Sequence, residues 1–412
     1  MARAAQRLPG AVPGAKADGG SLVLPTGFRG AAVDADLAKG SRLDLALIVS
    51  DAAGMAGAMF TRNRVVAAPV ALSREHLRQT SGMTRAILIN AGCANACTGP
   101  GGDEDAMQCA QWVADAVGCD VLEVLVFSTG VIGEKLQMAN IERAVPDLCA
   151  QLDTGASTVD AASRAILTTD TRPKVIERAI PLQDGGTAQL VGFAKGSGMI
   201  HPDMATMLAF LLTDLDHADP SHVYLRGAVM ESFHRVTVDG DSSTNDAVLL
   251  WSSGTKQQPA DDKGFFKALS ECTLHLAKEI ARDGEGATKL VEVEVRGGET
   301  HDHADNCARA IAQSLLVKTA VHGCDPNWGR ILAAAGRSGA EIDTHKVKVG
   351  IGEAVLFEND EPQPANEAAA AEHLKSDSVR IWVDLATGPC DSRYWTCDLS
   401  ADYVRINADY RT

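Results

Sequence analysis

Along the chain, apolar runs of strand length alternate with stretches whose apolar residues recur at helical spacing. Leu45 to Val49 reads as a buried strand, and Arg85 to Asn90 as another that runs into a loop of small residues, Ala91 to Gly99. Asp105 to Val117 has helical spacing. Val121 to Phe127 is again a strand-length run, and it ends in Ser128-Thr129-Gly130, which reads as a turn. Ile141 to Leu152 and Ser157 to Leu167 are helical; the second gives way to Thr168-Thr169-Asp170-Thr171, and Pro173 excludes further helix.

Val175 to Ile180 and Ala188 to Phe193 form a strand pair across Gln183-Asp184-Gly185-Gly186. Met207 to Leu212 reads as a core strand, Ser221 to Phe233 and Phe265 to Arg282 as helices, and Leu290 to Val295 alternates as a strand does. After Gly297 a second series begins: helices over Asn306 to Ala320 and Asn327 to Ala335, then strands near Val347 to Ile351 and Val379 to Leu385. With a boundary between Gly284 and Gly298, the expected organisation is a leader (1–20), a larger α/β domain (21–290), a smaller α/β domain (291–400) and a tail (401–412). No repeat period interrupts the series, and the class is α/β with mixed and antiparallel sheet.

Composition narrows the function. A length of 412 residues suffices for two or three compact units, and aromatic content of 4% predicts a core built from Ala, Val, Leu and Ile. The formal charge of −16 argues against a phosphate-backbone partner. No run of 18 apolar residues is present, so no transmembrane helix is expected. Met1 to Gly20 is rich in Ala, Gly and Pro and lacks an apolar signal core, which reads as a disordered leader. Ten cysteines lie scattered with no Cys-x-x-Cys pair, as in a reducing cytoplasm. His301, His303 and Cys307 have metal-like spacing but no matching second half, so no metal site is expected. Phosphate-loop, Gly-x-Ser-x-Gly and His-Glu-x-x-His motifs are absent.

The stretch with the most chemistry runs from Lys195-Gly196-Ser197-Gly198 through Ala205-Thr206 to Met207-Leu208. A glycine-bearing loop lets the Thr206 hydroxyl reach back to the Ala205 carbonyl, and the following strand holds a new N-terminus. A terminal Thr carries its own base, because its α-amine, titrating near ~7.7–8.0, lies beside its hydroxyl. By itself the pattern more often marks a Thr that simply opens a strand. Thr129 and Gly130 offer two donors for an oxyanion, or a plain turn. Lys195 offers a cation for a carboxylate, or a solvated surface charge. Glu285, in Asp283-Gly284-Glu285-Gly286, offers an anion for an ammonium, or a solvated acid.

These words together resemble the ornithine acetyltransferase family, the bifunctional glutamate N-acetyltransferases of arginine biosynthesis. The resemblance runs from about Leu43 to Thr412. It includes Ser128 to Gly133, Thr168 to Thr171, Val238 to Asp246, Asp283 to Lys289, Gly323 to Arg330 and Tyr403 to Thr412. Cys93, Cys324, the leader and Asn359 to Ala371 depart from the pattern. The resemblance implies a chain cut between Ala205 and Thr206 into α (1–205) and β (206–412) chains. Thr206 would then carry acetyl from N-acetylornithine to glutamate in a ping-pong reaction, with Thr129 and Gly130 as the oxyanion hole. Substrate binding falls on Thr168, Lys195, Thr206, Glu285, Asn407 and Thr412. The resemblance also implies a layered α/β sandwich shared with self-processing aminopeptidases, a cytoplasmic assembly of two α and two β chains, and no metal or organic cofactor. Whether acetyl-CoA is a second donor stays open. A hydrolase of the aminopeptidase type, an acyltransferase of a specialised pathway and a non-cleaving binding protein are the alternatives. The Val238 and Gly323 words read as structural turns.

Overall fold

Strand pairing divides the chain into two sheets. The computed structural model describes residues 22–201, 207–216 and 223–409. In the first sheet lie β1 (Phe28–Val33), β2 (Leu45–Phe60), β3 (Met83–Cys93), β4 (Val124–Val131), β5 (Lys174–Pro181), β6 (Thr187–Lys195), β7 (Leu208–Thr213) and β8 (Ala247–Ser252). Their order is β4-β3-β2-β8-β7-β6-β5, with β1 also paired to β2. Two of these pairings are parallel, β3 with β4 and β7 with β8. The second sheet holds β9 (Leu290–Gly298), β10 (Lys348–Ile351), β11 (Ala354–Glu358), β12 (Glu361–Pro362), β13 (Ser378–Asp384) and β14 (Cys390–Cys397), in the order β12-β11-β10-β13-β9-β14.

The helices are α1 (Ala68–Gln79), α2 (Pro100–Val117), α3 (Met138–Ala150), α4 (Ser157–Ala165), α5 (Val223–Met230), α6 (Asp262–Arg282), α7 (His301–Ala312), α8 (Leu315–His322), α9 (Trp328–Gly336), α10 (Glu367–His373) and α11 (Ala401–Asp409). Side-chain alternation along the strands makes the layers. Leu45, Leu47 and Val49 of β2 pack with Val113 of α2 and Leu148 of α3. The intervening Ala46 and Ile48 face the opposite side, with Val159, Ala162 and Ala165 of α4. Leu211 and Leu250 pack with Phe265, Leu269 and Leu276 of α6. A separate cluster joins the second sheet to α7, α8 and α9. The core is aliphatic, as composition predicts, but Phe28, Phe127, Phe193, Phe210 and Trp251 gather in one layer of the first sheet. There Phe127 and Phe193 each stand 5.1 Å from the Phe210 ring.

Several elements differ from their sequence expectation. β2 continues past Val49 through an irregularity and pairs with β8 from Ala56 to Phe60; its small residues give no apolar run to detect. The expected helix over 306–320 is two helices, because Ser314 caps a new one by accepting from the Val317 N–H. Val121–Glu123 forms a 3-10 turn, and the strand that follows runs on through Ser128, Thr129 and Gly130 to Val131. The expected helix over 221–233 is seen from Val223 to Met230, followed by a 3-10 turn at Phe233–Arg235. Cys307 is buried in the core of the second sheet, where burial pushes its thiol up to about 11. Among the described residues no three potential metal ligands converge, and no helix is long and apolar enough to cross a membrane.

Candidate active site

Three strand ends set the frame. Lys195 closes β6 and pairs with Leu208, which opens β7, and Leu208 pairs in turn with Ala247, which opens β8. The Met207 N–H donates to Asp246 Oδ1 at 3.0 Å, and the Ala247 N–H donates to the Met207 carbonyl at 3.1 Å. Ala205, Thr206 and Thr412 lie outside the described residues. Met207, the residue that follows Thr206 in the sequence, thus meets the fully buried carboxyl of Asp246. Burial raises that carboxyl well above the ordinary aspartate range, and among the described residues its Oδ2 accepts no hydrogen bond.

Thr129 and Gly130 sit at the end of β4, within the strand rather than on a turn beyond it. Gly130 (φ +133°) lies back to back with Gly92 (φ +105°) of β3, and a Cβ on Gly130 would overlap the Gly92 backbone. Two buried amides hold this bulge. Asn245 Nδ2 donates to the carbonyls of Ala94 (2.7 Å) and Ser128 (2.9 Å), and Ser128 Oγ donates to Asn90 Oδ1 at 2.5 Å. Gly130→Ala is therefore expected to cost about 2–4 kcal/mol, from the positive φ and the backbone overlap together. A denaturant midpoint close to that of the wild type would contradict this.

Lys195 is buried, and its Nζ donates to Thr129 Oγ1 at 3.3 Å. Behind it lies a closed set of charges. Asp170 Oδ1 accepts from Lys174 Nζ (2.7 Å) and the Gly196 N–H (2.6 Å), and Oδ2 accepts from the Thr168 N–H (3.2 Å). Asp170 Oδ2 is also 3.8 Å from Lys195 Nζ, and Lys174 Nζ reaches Asp283 Oδ2 at 2.5 Å. Burial alone would raise the Asp170 carboxyl, but Lys195 and Lys174 outweigh it and hold it well below the usual range. Burial lowers Lys195, against the pull of Asp170. Thr168 and Lys195, both singled out from sequence, thus meet at Asp170. The Thr168 word contained Asp170 and the Glu285 word contained Asp283, but neither acid was singled out, and Lys174 lies one residue before the strand expected from Val175.

Glu285 stands on the other side of the 196–200 loop. Its N–H donates to the Ser197 carbonyl at 3.0 Å, and its carboxylate lies against Gly198, where a Cβ would come within 2.5 Å of it. From α11, Asn407 Nδ2 donates to Glu285 Oε2 at 2.7 Å. Gly286 permits that docking: its φ is +70°, and a Cβ there would overlap the Tyr403 backbone.

Asp239 grips the same loop. Its carboxyl accepts from the N–H groups of Met199 (2.7 Å) and Ile200 (2.9 Å), and Met199 has a left-handed φ of +53°. The Val238 to Asp246 word, read as structural, therefore supplies Asp239, Asn245 and Asp246 to the site. Burial raises Asp239 to about 6 from an ordinary 3.8. Between those values the folded protein holds this proton and the unfolded chain does not. As pH rises from about 4 to about 6, the group should thus remove roughly 3 kcal/mol of stability. Asp239→Asn is expected to lack that slope, which unfolding midpoints of both proteins between pH 4 and 7 would check.

Residues 29–412 match the ArgJ family. The chain belongs to it. The arginine biosynthesis bifunctional protein ArgJ of Geobacillus stearothermophilus is 45% identical over 405 residues, covering 95% of this chain and 96% of that protein. That of Parasynechococcus marenigrum is 44% identical over 396 residues, with 95% and 96% covered. Among solved structures, the argJ protein of Bacillus halodurans is 44% identical with a TM-score of 0.45, covering 49% of this chain and 98% of that one. Ornithine acetyltransferase of Mycobacterium tuberculosis, complexed with ornithine, is 38% identical with a TM-score of 0.40, covering 43% and 92%. As a member of the ArgJ family the chain is an enzyme, an acyltransferase of arginine biosynthesis.

Proposed function

We propose that the chain cuts itself between Ala205 and Thr206 and then moves acetyl from N-acetylornithine to glutamate through an acetyl-Thr206 intermediate. The observation that supports this reading is that Lys195 both touches Thr129, the neighbour of Gly130, and pairs with Leu208 where β7 begins, two residues after Thr206. In the cut, the Thr206 hydroxyl attacks the Ala205 carbonyl, the amide C–N bond breaks with the proton passing to the departing Thr206 nitrogen, and water hydrolyses the resulting ester to free the Ala205 carboxylate and the Thr206 hydroxyl. The freed α-amine then takes the hydroxyl proton as Thr206 attacks the acetyl carbon of N-acetylornithine. Negative charge forms on the acetyl oxygen, where the Thr129 hydroxyl and Gly130 N–H are donors. The amine returns its proton to the leaving ornithine nitrogen, and glutamate takes the acetyl group by the reverse steps.

Lys195 suits the α-carboxylate of the substrate, and Glu285 the side-chain ammonium of ornithine, steadied by Asn407. Thr168 and Thr412 complete the binding set. The steps use side chains and the α-amine alone, without a metal or organic cofactor. We assign the assembly as two α and two β chains in the cytoplasm. Incubation with N-acetylornithine should add one acetyl group to the peptide that begins at Thr206, and glutamate should remove it as N-acetylglutamate. If acetate forms at the same rate with and without glutamate, the enzyme is a hydrolase instead. Acetyl-CoA offered beside N-acetylornithine decides whether it is a second donor.

A further inference from the structure

A lysine that only binds a substrate carboxylate has no need to touch the oxyanion hole, yet Lys195 does. Its ammonium donates to Thr129 Oγ1, and among the described residues the Thr129 hydroxyl donates no hydrogen bond of its own. The hydroxyl oxygen is thus occupied as an acceptor while its hydrogen stays available. A donor polarised by a neighbouring cation is a stronger donor, and burial in a low dielectric increases the effect. Nor can Lys195 swing away: its side chain is 2% exposed, and Asp170 behind it is fully buried. Asp170 is itself held by Lys174, Gly196 and Thr168, so the ammonium faces a fixed counter-charge.

From this geometry we infer that Lys195 acts in the chemical step, by polarising the Thr129 hydroxyl toward the oxyanion, and that Asp170 is the positioning residue that fixes the ammonium there. The lysine keeps its proton throughout; no bond to it forms or breaks. The inference rests on the acetyl-Thr206 reading and deepens it. A carboxylate-binding role and an oxyanion role differ in which substrates they help. Carboxylate binding helps only substrates that carry a carboxylate, whereas polarisation of Thr129 helps every acetyl donor.

The test uses p-nitrophenyl acetate, which has neither carboxylate nor ammonium. Thr206 attack forms the acetyl ester and releases p-nitrophenolate, which is read directly. Lys195→Met is expected to slow that acetylation about 10- to 100-fold, and Asp170→Asn to show part of the same loss. In a Thr129→Ala background, Lys195→Met should add little further loss, because its partner is already gone. A variant that remains uncut is remade by co-expressing residues 1–205 with residues 206–412. If Lys195→Met reacts with the ester at the wild-type rate while its KM for N-acetylornithine rises, Lys195 only binds the carboxylate and the inference is overturned. Full additivity with Thr129→Ala overturns it too. A wild-type enzyme that is not acetylated on Thr206 overturns the acetyl-enzyme reading itself, and this inference with it.

Discussion

Thr206→Ala is expected to leave the protein as one chain of 43.3 kDa, whereas the wild type is expected to run as two chains of 205 and 207 residues. Transferase activity should fall by at least about 10⁴-fold, because one substitution removes two things. The hydroxyl that attacks is lost, and without the cut no α-amine exists to serve as its base. Thr206→Ser keeps a hydroxyl and should still be cut. A denaturing gel and an assay with N-acetylornithine and glutamate separate the outcomes. A Thr206→Ala protein that is still cut between Ala205 and Thr206, or that keeps more than about a hundredth of the activity, would sink the assignment.

The second large effect is expected at Thr129. Thr129→Ala should lower kcat roughly 10²–10³-fold, which corresponds to ~2.7–4 kcal/mol of lost transition-state stabilisation, with KM changed only a few-fold. The reason is differential: the oxyanion exists in the transition state and not in the bound substrate. The substitution also takes an acceptor from the buried Lys195 ammonium, but Asp170 stays at 3.8 Å, so the fold should lose only about 1 kcal/mol. Thr129→Ser, which retains the hydroxyl, should recover most of the rate. Unchanged turnover in Thr129→Ala would remove this residue from the oxyanion hole.

Much of the architecture was legible because it is written locally. The strands around Leu45, Arg85, Val175, Ala188 and Leu208 carry apolar runs, and α6 carries a long helical period. Of the elements not expected from sequence, β8 does carry an apolar run, Ala247 to Trp251, whereas others lack such signals. The second half of β2 is made of small residues, and β14 mixes Arg, Tyr, Trp and Ser. The break between α7 and α8 rests on one capping hydroxyl, which a continuous apolar pattern hides. Ser128-Thr129-Gly130 read as a turn because glycine usually marks one. The structure uses that glycine for a close approach to Gly92 inside the sheet.

In the site, the sequence by itself determined which groups are available for chemistry: Thr206 behind a glycine-bearing loop, Thr129 beside Gly130, and Lys195 and Glu285 as opposite charges. These are properties of residues and their immediate neighbours, and they survive without knowledge of the fold. Only the tertiary structure decided what each charge faces. Lys174 meets Asp283 across 109 positions of sequence, and Asn245 clasps Ser128 across 117. Pairings at such separation arise when the sheet brings strand ends to one rim. There, the cost of burying a charge must be met by another charge or a hydrogen bond, wherever in the chain that partner lies.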